Sequence, residues 1–69
     1  VISLTLNGRR CELPDHATVV EAVQVAGAPP DGRGCAVAVD GTVVPRERWL
    51  DQPLRDGATV EVVVAVGGG

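Results

Sequence analysis

From Ile2 to Leu13 apolar and polar residues alternate: Ile2, Leu4 and Leu6 are separated by Ser3 and Thr5, and Cys11 and Leu13 by Glu12. Period two is the signature of half-buried strands. Asn7-Gly8 between the runs supplies two residues that accept positive φ, so the runs form an antiparallel hairpin closed by a type I′ turn. Pro14-Asp15 ends the second strand.

The period then shifts. Thr18-Val19-Val20-Glu21 reads as a capping box, in which the threonine hydroxyl takes an orphan N–H and the glutamate reaches back. Val19, Val20, Val23 and Ala26 make the apolar stripe of a helix running to about Ala26, with Val25 off the stripe. Gly27 fits the left-handed closing position. The β-branched valines are poor helix formers, so packing must hold this helix. A loop rich in proline and glycine spans 28–34.

Cys35 to Val39 and Thr42 to Val44 read as a second hairpin turned by Asp40-Gly41 and closed by Pro45, which cannot donate to a ladder. Arg46 to Leu50 has room for a single turn. Leu54-Arg55-Asp56-Gly57 turns the chain into its most apolar strand, Thr59 to Val66, and three glycines follow.

One helix covers one face of one sheet, so the order hairpin, helix, hairpin, strand gives a two-layer α+β domain. The first and last strands, the most apolar, belong at the centre as parallel neighbours with a hairpin on either side. This is the β-grasp (ubiquitin-like) arrangement, a mixed sheet of four to five strands with one main helix packed on one face. The expected division is a domain over 1–66 and a flexible glycine tail over 67–69. Cys11 and Cys35 then lie on strands separated by the two central ones, about 14 Å apart. That is too far for a disulfide.

Size and composition narrow the function. Sixty-nine residues make one domain, which buries only about 60% of the unfolded chain's surface and leaves no room for a deep catalytic cleft. A protein partner would cover about 800 Å² of it. The net charge is −3, the six basic residues are all arginines, and Trp49 is the sole aromatic residue. That argues against a nucleic-acid binder, which needs a basic stripe interleaved with aromatics. No apolar run is long enough to span a bilayer and no signal peptide is evident, so the expected location is the cytoplasm. Val1 at the start fits removal of an initiating methionine ahead of a small residue.

Side-chain chemistry is sparse. His16 is the one histidine, the two cysteines lack CxxC spacing, and no metal or cofactor site is expected. Asp15, Asp31, Asp40 and Asp56 sit in turns, where aspartate bonds local backbone. No set of acid, base and nucleophile assembles from what remains, so the chain is not read as an enzyme. The unusual feature is the end. A glycine tail is costly to order, yet without side chains it threads a narrow channel, and three residues reach about 10 Å. The Gly69 carboxylate is ionised at neutral pH and must be activated, for example as an acyl-adenylate, before it can donate an acyl group. On the sheet face opposite the helix, alternation places Glu61, Val63 and Ala65 from the last strand beside Ala36 and Ala38. Such a patch of small apolar residues suits partner docking.

The stretches Ala36-Val37-Ala38-Val39-Asp40-Gly41, Val43-Val44-Pro45-Arg46-Glu47-Arg48-Trp49 and Leu54-Arg55-Asp56-Gly57-Ala58-Thr59-Val60-Glu61, closing on Gly-Gly, resemble the ThiS family. These are the bacterial sulfur carriers of thiamine thiazole biosynthesis, relatives of ubiquitin. The Val-Pro-Arg-x-x-Trp run is the most specific part. Gly68 and Gly69 match the family's terminal pair, and Gly67 is an additional glycine.

The resemblance implies that an E1-like adenylyltransferase of the ThiF family adenylates the Gly69 carboxylate with ATP and magnesium, both bound by that partner. Sulfur from cysteine, delivered through a cysteine desulfurase, then gives a thiocarboxylate that thiazole synthase consumes. It further implies that Gly67 and Gly68 form the tether and that Val63, Ala65, Ala38 and Arg46 contribute to docking. Trp49 is read as a structural plug. Two alternatives share the fold: a molybdopterin-type sulfur carrier, and a ubiquitin-like module that binds without covalent change. The remaining enzymatic alternative would pair Cys11 or Cys35 with His16.

Overall fold

The computed structural model describes residues 1–28 and 33–64. Five strands form one sheet: β1 (Ile2–Leu6), β2 (Arg9–Leu13), β3 (Cys35–Val39), β4 (Thr42–Val44) and β5 (Thr59–Val64), in the order β2-β1-β5-β3-β4. The central pair β1 and β5 is parallel, and the two hairpins flank it. Both hairpin turns carry positive φ at each central residue, 51° and 81° at Asn7-Gly8 and 51° and 84° at Asp40-Gly41. That backbone matches the right-handed twist of the strands it joins.

The helix α1 (Val19–Val25) packs on one face. Thr18 and Glu21 close the capping box, with Glu21 Oε1 accepting the Thr18 N–H at 3.3 Å. The first helical N–H groups would otherwise be orphans. Here Val19 donates to the Gln52 carbonyl at 3.0 Å and Val20 to that of Trp49 at 3.3 Å, so the 49–52 segment caps the helix. At the other end Gly27 (φ 82°) donates to Gln24, and Ala28 donates to Val23. These two bonds form a Schellman closure.

Alternate strand residues build the core: Leu4 and Leu6 from β1, Leu13 from β2, Val37 from β3, Val44 from β4, and Val60 and Val62 from β5. Val19, Ala22 and Val23 meet them from α1, and Ala17, Trp49, Leu54 and Ala58 fill the sides. Val19, Val37 and Val60 are fully buried, each contributing about 1.5–3 kcal/mol of transfer free energy.

Two details of the helix stripe differ from the sequence pattern. Ala22 is fully buried, whereas Val20 and Ala26 are only half-buried. Ala22 lies three residues after Val19 and beside Val23, so it shares their buried face of the helix. The expected off-stripe residue, Val25, is indeed exposed. On β5, Val64 shares the inward alternation of Val60 and Val62 yet remains 38% exposed, because β5 runs there past the last buried position of the core.

The segment after β4 is a single 3-10 turn, Arg46–Arg48, as its length requires. Trp49 caps it and is buried. Farther on, Ser3 anchors the 54–57 turn. Its N–H donates to Asp56 Oδ1 at 2.7 Å and its carbonyl accepts the Gly57 N–H at 2.7 Å. The expected continuation of β5 through Val66 and the 67–69 tail lie outside the described residues.

Candidate docking face

Because Val37, Val60 and Val62 are buried against α1, their strand neighbours Ala36, Ala38, Glu61 and Val63 face the other way. Register aligns them: Ala36 is opposite Val63, and Ala38 lies between Glu61 on β5 and Val43 on β4. Val63 is 61% exposed and Val43 70%. The half of this face nearer β4 is therefore a small apolar surface with Glu61 set in it.

The half formed by β1 and β2 is polar. It carries Ser3, Thr5, Arg10 and Glu12, with Arg10 Nε donating to Ser3 Oγ at 3.0 Å. One sheet face thus has an apolar side and a charged side, an asymmetry that can orient a partner.

Of the docking residues expected from sequence, Val63 and Ala38 lie together on this face, on adjacent strands. Arg46 does not lie on a strand. It is exposed on the 3-10 turn that follows the edge strand β4. Ala65, Gly67, Gly68 and Gly69 lie outside the described residues. Val43 belongs to the apolar group and was passed over in the sequence. Its signal was present in the alternation with Val44, and only the register beside Ala38 gives it a place.

The side-chain alternatives do not assemble. Cys11 and Cys35 are free and half-buried on β2 and β3, with β1 and β5 between them. His16 is exposed in the loop after β2, and no hydrogen bond among the described residues joins it to either cysteine. Among the described residues no three potential metal ligands cluster. No helix there is long and apolar enough to cross a membrane. An open cleft of about 600 Å³ beside β4 is lined by Asp40, Thr42, Arg48, Gln52 and Arg55. The Asp40 carboxylate in it is committed to the backbone, its Oδ1 accepting the Thr59 N–H at 2.9 Å. At the opposite edge of the sheet, a hydrogen bond from the Val1 ammonium at 2.6 Å holds the Asp15 carboxyl below its usual range and raises the ammonium in turn.

Fold, register and an uncovered apolar face agree with the resemblance drawn from the sequence, and comparison with known families decides it. The ThiS family model matches residues 4–69. The chain belongs to the ThiS family.

ThiS proteins are sulfur carriers of thiamine biosynthesis rather than enzymes. The crystal structure of the thiamine biosynthesis protein ThiS from Geobacter metallireducens is similar over 99% of this chain and 100% of that chain, with 26% identity and a TM-score of 0.77. The solution NMR structure of a thiamine biosynthesis protein from the same organism gives 26% identity and a TM-score of 0.78, covering 99% of this chain and 88% of that one. No curated protein matches the chain. The five-stranded sheet with α1 packed on one face is thus the ThiS β-grasp fold. The ThiS match also spans the Val44-Pro45-Arg46-x-x-Trp49 run and the closing glycines.

Proposed function

We propose that this ThiS-family protein carries sulfur as a thiocarboxylate on Gly69 and delivers it to thiazole synthase. The observation that carries the reading is the family match, which continues through the glycine tail to residue 69. A carboxylate is a poor electrophile, so the first step is activation. A carboxylate oxygen of Gly69 attacks the α-phosphate of ATP on a ThiF-type adenylyltransferase, and pyrophosphate leaves. The terminal sulfur of a persulfide supplied through a cysteine desulfurase then attacks the acyl carbon and AMP leaves, giving an acyl disulfide. A thiol reductant cleaves its S–S bond to release the thiocarboxylate and a disulfide. The resulting thiocarboxylate is the sulfur donor.

In this reading the folded domain is a handle and Gly67 and Gly68 are the tether. Val63 and Ala38, joined by Val43 and by Ala65 farther along the chain, meet both partners through the apolar half of the sheet face. Arg46 contributes a cation at the edge beyond β4. ATP and magnesium belong to the adenylyltransferase, and the work takes place in the cytoplasm.

Intact-mass spectrometry tests the reading. After incubation with the adenylyltransferase, ATP, magnesium, a desulfurase with cysteine and a thiol reductant, the protein should gain about 16 Da, as oxygen is replaced by sulfur. An unchanged mass would leave a module that binds without being modified.

A further inference from the structure

The parallel pairing of β1 with β5 is short. Thr5 lies opposite Thr59 and Leu6 opposite Val60, and the hairpin then turns β1 away. The Thr5 N–H donates to the Ala58 carbonyl and the Asn7 N–H to that of Val60, both at 2.9 Å. The next peptide group of β5 to face β1 is that of Val62, and no strand backbone remains opposite it. The side chain of Asn7 takes this place. Its Oδ1 accepts the Val62 N–H at 2.8 Å and its Nδ2 donates to the Val62 carbonyl at 3.2 Å.

One carboxamide therefore stands in for one residue of ladder. Asparagine is one of few residues that can do so here. It tolerates the φ of 51° that the turn demands, and it carries a donor and an acceptor on one planar group. On its other side Val62 is paired with Val37 of β3. The strand is thus held from both sides two residues before its described end at Val64.

Resting on the proposed role of Gly69, we infer that Asn7 is a positioning residue for the carboxyl-terminal tail, holding from the β1 side the strand that leads to it and that β3 pairs as far as Val64. The three glycines 67–69 reach at most roughly 10 Å. Displacements of about 1 Å at a reacting group can cost about a hundredfold in rate. Gly67, Gly68 and Gly69 have no side chains with which to fix their own position, so the strand that leads to them must be held.

The test is Asn7→Gly, which keeps the positive φ of the turn and removes only the carboxamide. Hydrogen exchange at the Val62 amide should accelerate by about tenfold or more. In steady-state adenylation by the adenylyltransferase, kcat should fall by about tenfold or more while KM for the carrier changes by less than about threefold, since the docking face is untouched. A Val23→Ala control, which weakens the core away from the clamp, should leave kcat unchanged while lowering the melting temperature at least as far. Asn7→Gly with wild-type kcat, or Val23→Ala with the same loss of kcat, overturns the inference. Wild-type protein that accepts no adenylate overturns the proposed function and this inference with it.

Discussion

The indole Nε1 of Trp49 donates to the carbonyl of Val44 at 3.0 Å, within the buried core. The bond ties the 3-10 turn to the edge strand β4. On the far side, the Trp49 carbonyl accepts the Val20 N–H at the start of the helix. Trp49 thus joins the sheet edge to the helix amino terminus, and the plug read from the sequence has a specific attachment. Trp49→Phe should cost about 1 kcal/mol, the loss of one buried hydrogen bond, because the Val44 carbonyl keeps its place opposite Val37 in the β3–β4 ladder. Trp49→Ala should cost about 3–5 kcal/mol. Urea unfolding monitored by circular dichroism checks both, and a negligible cost for Trp49→Phe would show that the hydrogen bond is immaterial.

Val63 is exposed on the face away from the helix, so its side chain contributes little to the core. Val63→Ser should shift the melting temperature by no more than a few degrees, about 0.5 kcal/mol. If the apolar half of the face docks the adenylyltransferase, the same change should raise KM for the carrier by about tenfold. An unaltered KM would remove Val63 from the interface.

Removing Gly69, or adding one residue after it, should abolish thiocarboxylate formation and leave stability unchanged within about 0.5 kcal/mol, because surface changes away from packed groups are nearly neutral. Intact mass and thermal melting measure the two quantities separately. A deletion variant that still gained sulfur would place the acceptor group elsewhere.

Cys11 and Cys35 are held apart by two strands, a spacing of about 14 Å. The native protein should therefore form no internal disulfide under air oxidation, and both thiols should alkylate with iodoacetamide. Cys11→Ala and Cys35→Ala should each keep full sulfur transfer in a thiocarboxylate assay. Loss of transfer in either variant would return a cysteine to the chemistry.

Local grammar carried most of the fold. Asn7-Gly8 and Asp40-Gly41 admit one tight hairpin each, Thr18 with Glu21 marks a helix start, and Gly27 marks its end, because backbone φ and capping groups are properties of single residues and near neighbours. Alternation along β1, β3 and β5 likewise assigned sheet faces before any contact was known, and the Val-Pro-Arg-x-x-Trp run pointed to the ThiS family. The exposed apolar patch was legible only in part. Val63 and Ala38 were readable from alternation, but Val43 needed the β3–β4 register.

Tertiary structure alone decided the rest. Ala22 is as fully buried as Val19, while Val20 is only half-buried, because position on the helix face outweighs side-chain hydrophobicity. The Asn7 carboxamide meets Val62 across 55 positions of sequence, and Ser3 meets Asp56 across 53. Such pairings arise only when β1 and β5 lie side by side. Sequence determines what each residue can offer, and the parallel pairing of the chain's two ends determines which groups come within hydrogen-bonding reach.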